Sequence, residues 1–172
     1  MTTPTPALPA AGDTPEARVR ALADEVLADT DLFLVDVSVR GWKGSQVVEV
    51  FADREAEPGT GADLDALAEI SRQLGFLLDT EDVMPGKYRL DVSSPGLDRP
   101  LTDPRQYRRH VGRDVALTLA SGETLDGTLT DATPEAVTVQ PTTGTGKKRV
   151  ASGEPVTVAH ADLTDARILL PW

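Results

Sequence analysis

Val92-Ser93-Ser94-Pro95-Gly96-Leu97-Asp98-Arg99-Pro100-Leu101 marks the point at which the chain changes character. Just ahead of it, Tyr88, Leu90 and Val92 alternate with Arg89, Asp91 and Ser93, the period of a strand with one covered face. Ser94-Pro95-Gly96 ends that strand. Proline presets φ at the second position of a turn, and glycine supplies the positive φ that a type II turn needs. Pro100 disfavours helix at the residue before it. Thr102 or Asp103 can then cap a short helix that has Pro104 at its first position and stops near Gly112. Residues 94–113 are therefore expected to form an ordered connector between an α/β domain at 14–93 and a β-rich domain at 114–172.

Upstream, Thr14-Pro15-Glu16 opens a helix, and Val19, Leu22 and Val26 recur at its spacing to about residue 29. Phe33, Val35, Val37 and Val39 alternate with Leu34, Asp36, Ser38 and Arg40 in a first, half-buried strand. Gly41-Trp42-Lys43-Gly44 turns the chain, and Gln46–Asp53 returns as a second strand, so the two form a hairpin. After a polar loop from Glu55 to Gly61, Asp63 caps a second helix with Leu64, Leu67, Ile70, Leu74, Leu77 and Leu78 at its apolar positions. Gly75 inside it weakens it by about 1 kcal/mol relative to Ala. With a third strand at 87–93 the order is α-β-β-α-β, two helices on one face of a three-stranded sheet in a two-layer α+β arrangement.

Downstream, short β runs fall at Val115–Leu119, Thr124–Thr130, Ala136–Gln140, Arg149–Val158 and Ile168–Leu170, the fourth interrupted at Ser152-Gly153. Strands this short and closely spaced predict a small closed β-barrel, since closure leaves few open edges.

Composition narrows the function. The 172 residues contain no Cys, which removes disulfides, thiol nucleophiles and thiolate metal sites. No run of apolar residues is long enough to span a membrane. Residues 1–13 lack the basic and apolar regions of a secretory signal and read as a disordered tail, which points to the cytoplasm. The formal charge is −11, carried by residues 1–82 with 17 acids against 6 bases, whereas residues 83–172 hold 11 of each. The acidic half argues against a simple nucleic-acid binder and suits either a basic protein partner or solubility alone.

No metal-binding spacing is present: Asp36, Glu49, Asp53, Asp63 and Asp65 are read as solvated sheet and helix faces. His110 and His160 are the two histidines, and neither a G-x-S-x-G elbow nor a Gly-rich phosphate loop occurs. A hydrolytic enzyme thus has no motif support. Gly41-Trp42-Lys43-Gly44 matches a KH-type GxxG by letter, but that loop joins helices and this one joins strands. Trp42 either packs over the domain edge or is an exposed contact residue.

The candidate binding residues are basic. Arg99, Arg105, Arg108, Arg109 and Arg113 lie within fifteen residues, and on a short helix Arg105, Arg108 and Arg109 would share one face. Their forked guanidinium groups suit phosphate, or they pair within the protein. Four phosphate contacts would make log K fall with log salt at a slope of roughly −3. Lys147-Lys148-Arg149 is a second basic run, in a loop joining strands, either solvated or a further phosphate contact. Ser94-Pro95-Gly96 is either a binding loop or a structural turn. If it fixes the angle between domains, Gly96→Val strains a positive φ and weakens binding with both domains folded.

Tyr88 to Leu101, above all its ten-residue core Val92 to Leu101 with the inter-domain turn Ser93-Ser94-Pro95-Gly96-Leu97-Asp98-Arg99-Pro100, resembles the signature of the RimP family of ribosome maturation factors. Val48-Glu49-Val50-Phe51-Ala52-Asp53 is similar to that family's second strand. Leu64-Asp65 with Ala68-Glu69-Ile70-Ser71-Arg72 is similar to its second helix, and Tyr107 with Val111-Gly112 to the start of its second domain. The resemblance implies an SH3-like (Sm-like) β-barrel after the α/β domain. It also implies a monomer that binds the free small (30S) ribosomal subunit during assembly, with no catalytic residue, metal or other cofactor. The expected partners are a basic small-subunit protein near the decoding centre (number twelve), gripped by the second domain, and 16S rRNA. The alternative is an Sm-like RNA chaperone, which would form rings and bind naked single strands.

Overall fold

The computed structural model describes residues 14–55 and 63–170. The tail expected at 1–13 and most of the loop after Glu55 lie outside the described residues. The chain divides into two compact units, Met1–Ala52 with Asp63–Ser93, and Asp53–Ala62 with Ser94–Trp172.

In the first unit, helix α1 runs from Pro15 to Leu27, and Thr14 caps it by accepting the Ala17 N–H at 3.2 Å. Strands β1 (Leu32–Arg40) and β2 (Gln46–Arg54) are neighbours joined by a tight turn in which the Ser45 N–H donates to the Trp42 carbonyl at 2.8 Å. Helix α2 (Leu64–Thr80), capped by Asp63, carries the chain over to β3 (Tyr88–Ser93). That crossover is why β3 lies parallel to β2, with Gln46 opposite Tyr88 and Phe51 opposite Ser93. The core is wholly apolar: Val19, Leu22, Ala23 and Val26 of α1 and Leu67, Ile70, Leu74 and Leu78 of α2 are buried, as are Val37, Val48 and Val50 of the sheet. The helical positions recur every three or four residues, as the amphipathic pattern requires.

In the second unit, β4 (Asp114–Leu119), β5 (Thr124–Ala132) and β6 (Ala136–Thr143) form an antiparallel meander. The short β7 (Val150–Ala151) and β8 (Val156–Ala159) both pair with β6, and β9 (Leu163–Ile168) returns to β4. The last strand therefore begins five residues before the expected Ile168.

The sheet order is β7-β6-β5-β4-β9, with β8 on β6, so the expected closure into a barrel is not made. The chain leaves β8 through a 3-10 turn at His160–Asp162, held where the Ala120 N–H donates to the Asp162 carbonyl at 2.8 Å. On β9, the Ala166 carbonyl accepts from Leu101 at 2.8 Å, so residues before β4 occupy a bonding position that a closing strand would use. Leu101 and Tyr107 pack into the same core as Val115, Leu117, Leu129, Val137, Val139, Val158, Ala166 and Ile168. The segment expected as a separate connector thus supplies part of the second unit's core.

Candidate binding surfaces

Residues 94–113 carry most of the basic candidates, and their backbone differs from the expected type II turn. Gly96 does not have positive φ, and the turn lies two residues later, where the Arg99 N–H donates to the Gly96 carbonyl at 3.3 Å. A Cβ on Gly96 would stand 2.6 Å from the Asp98 carboxylate. That is the end of a side chain able to move, so Gly96→Val meets crowding rather than backbone strain.

The expected helix is two 3-10 turns, Pro104–Gln106 and Arg108–His110. Asp103, not Thr102, is the cap. Its carboxylate accepts the Arg105 N–H at 2.9 Å and both sides of the Arg105 guanidinium, at 3.0 and 2.8 Å. Partial burial works against that charge, but the Arg105 bonds outweigh it and hold Asp103 below the usual carboxylate range. Gln106 is buried, and its Oε1 accepts the Thr102 and Asp103 N–H groups, each at 2.9 Å.

Arg109 does not share a solvated face with Arg105 and Arg108. A 3-10 turn has three residues per repeat, which takes Arg109 off the line of Arg105 and Arg108. Its side chain is only 14% exposed, and its Nε lies 3.3 Å from Oδ2 of Asp53, which is 0% exposed. Asp53, read above as solvated, is the buried anchor of this cluster. Burial raises its carboxyl above the ordinary value, while the Arg54 N–H, the Arg109 charge and a hydrogen bond from Gln106 pull the other way. Next to it, His110 is buried, with Nδ1 lacking a hydrogen-bond partner. Burial, then the charges of Arg109 and Arg113, push its pKa down to about 4, so it is neutral at physiological pH. The unbroken apolar run Val50-Phe51-Ala52 just ahead of Asp53 is the signal the sequence carries: a strand without polar alternation has no solvated face, and all four residues are buried.

Arg149 is also turned inward, 3.3 Å from the Asp114 carboxylate that Thr128 bonds at 2.8 Å. Lys147 and Lys148 stay exposed on a 3-10 turn, as do Arg108 and Arg113, while Arg99 is half-buried. Of the other acids read as solvated, Asp36 pairs with Arg20 at 3.2 Å, Glu49 pairs with Arg40, and the Asp63 carboxylate accepts the Asp65 N–H at 3.0 Å. Among the described residues no group of three or more His, Cys, Asp or Glu is placed to hold a metal ion.

One cavity of about 430 Å³ opens on the second unit. Leu101, Tyr107 and Ala166 line its buried part, and the exposed Pro104 and the half-buried His160 and Asp165 are among its walls. The Tyr107 and His160 rings sit 5.0 Å apart at 57°, and His160 Nε2 is 3.0 Å from the Thr133 carbonyl. Burial and then the Asp165 charge push the Tyr107 hydroxyl up to about 12. The cavity offers an apolar floor beside a carboxylate, which suits the aliphatic stem and charged head of a basic side chain. Nothing in the sequence singled it out, because its lining comes from two segments sixty residues apart, 100–107 and 160–166.

Comparison with known families agrees with the resemblance: residues 22–98 match the model described as the RimP N-terminal domain.

Proposed function

As the chain belongs to the RimP family of ribosome maturation factors, we propose that it binds the free small (30S) ribosomal subunit and assists its assembly without catalysis. The match across residues 22–98 carries this reading. The protein works in the cytoplasm as a monomer. Its second unit holds a basic small-subunit protein near the decoding centre, and the cavity at Tyr107, His160 and Asp165 receives a lysine or arginine of that partner. Arg108, Arg113, Lys147 and Lys148, which keep their side chains at the surface, meet 16S rRNA phosphates. Arg105, held on Asp103, makes at most a secondary contact, and Arg109 and Arg149 act inside the fold.

The factor needs no energy source. Preferring an immature conformation over the mature one shifts the subunit population while bound, and maturation itself removes the affinity that retained it. Sucrose-gradient sedimentation tests the proposal. The full chain should co-migrate with free small subunits and stay off mature 70S particles. Equal binding to both, or a ring-sized oligomer that prefers naked RNA, would refute it.

A further inference from the structure

Trp42 is 86% exposed at the tip of the β1–β2 hairpin, the most exposed of the large apolar side chains described. It does no packing work there, and a turn of this kind is made as well by small polar residues. The backbone nonetheless holds it firmly. Gly41 has φ +93°, and a Cβ there would stand 2.8 Å from the Ser45 carbonyl oxygen. Gly44 has φ +85°, and a Cβ on Gly86 would come within 3.2 Å of the Gly44 Cα. The tip is therefore packed backbone to backbone against the loop ahead of β3, and its aromatic ring is presented from a fixed base.

The same end of the sheet gathers cations in a unit that is otherwise acidic. Arg40 precedes the turn and pairs with Glu49, and Arg89 pairs with Asp91 at 3.0 Å. Lys43 follows Trp42 directly. Lys87 precedes Tyr88, which is opposite Gln46, so it lies across from the last residue of the turn. Neither lysine has an ion-pair partner among the described residues. An exposed ring with one lysine next to it in the chain and a second across the turn suits a nucleobase that stacks while its neighbouring phosphates are neutralised, without reading sequence. A protein hot spot would instead place such a ring in an apolar surround, and the flanking residues here are glycine and lysine.

We infer that the hairpin tip, Trp42 with Lys43 and Lys87, is a stacking site for single-stranded RNA. This goes beyond the proposed function by placing an RNA contact on the acidic first unit.

The test is fluorescence anisotropy of the full chain with a fluorescein-labelled ten-nucleotide oligouridylate at low salt. Trp42→Ala should weaken binding about tenfold, and Trp42→Phe should keep most of it, because any aromatic face can stack. Lys43→Glu with Lys87→Glu should lower the salt slope by roughly 1.4, the share of two phosphates on a single strand. All these side chains are at the surface, and far-UV circular dichroism confirms that each variant is folded. Unchanged affinity in Trp42→Ala overturns the inference. So does a Trp42→Ala protein that binds the oligonucleotide normally yet no longer co-migrates with small subunits, which would make the tip a protein contact. A wild-type chain that binds the oligonucleotide through Trp42 but never co-migrates with subunits leaves this site standing and removes the proposed function alone.

Discussion

The buried residues of the first unit, from Val19 on α1 to Met84 before β3, are all apolar, whereas the second unit closes over Asp53, Gln106 and His110 as well as its valines and leucines. The first arrangement is set by periodicity, since any side chain of suitable size at the right step of a helix or strand will serve. The second depends on particular partners. A carboxylate with no water around it is tolerable only beside Arg109 and Gln106, and a histidine beside two arginines only while neutral. The same pairing decides which basic residues remain available at the surface. With Arg109 turned inward and Arg105 held on Asp103, at most three of the five connector arginines can meet phosphate, one fewer than a salt slope of roughly −3 assumes.

Substitution can break this contrast. Arg109→Ala should have the largest effect, about 3–5 kcal/mol in urea unfolding, because it leaves the Asp53 charge buried without its partner. The double variant Asp53→Leu with Arg109→Met should recover much of that loss. If Arg109→Ala cost under about 1 kcal/mol, the pair would not differ from a surface ion pair. In the first unit, Leu74→Ala should cost about 3 kcal/mol through the cavity it leaves, with no polar group to rescue.

The pH dependence sharpens the contrast. His110 is depressed to about 4 in the folded protein, against about 6.5 in an unfolded chain. Between those values the unfolded state takes a proton that the folded state refuses, so stability should fall as pH drops from 6.5 towards 4, on the order of 3 kcal/mol. Asp53 works in the opposite sense. Its raised carboxyl favours folding at acid pH and loses that contribution as pH rises through its folded value. His110→Leu should therefore flatten the acid limb or reverse its slope, as read by urea midpoints across the range. The smallest effect belongs to Arg72→Ala. Its exposed pairing with Glu69 should leave the unfolding midpoint unchanged.

The legibility of each unit follows from the same physics. Thr14 and Asp63 as caps, the hairpin at Gly41–Gly44 and the α2 apolar stripe from Leu67 to Leu78 could be read because local rules alone produce them, whereas Leu64, expected on that stripe, is 82% exposed in the first turn of the helix. The second unit was read less well where tertiary bonding overrode local pattern. β9 presents only the small Ala166 and Ile168 as fully buried residues, so Leu163 to Arg167 lacks the apolar alternation of a strand. The stretch at 104–110 holds helix-compatible residues, but the buried Gln106, Tyr107 and His110 are satisfied by two 3-10 turns instead. At Asp53, charge alone argued for the surface, and only the unbroken apolar run Val50 to Ala52 argues otherwise. Exposed lysines and arginines are the least legible of all, since composition cannot say which will find a carboxylate within the fold.

The most direct test is to remove the gene and follow the host's ribosomal particles. The account expects a deficit of 70S ribosomes, an excess of free subunits, and small subunits carrying unprocessed 16S rRNA ends, all reversed by restoring the full chain. A gradient profile and 16S ends indistinguishable from those of the parent strain would contradict it.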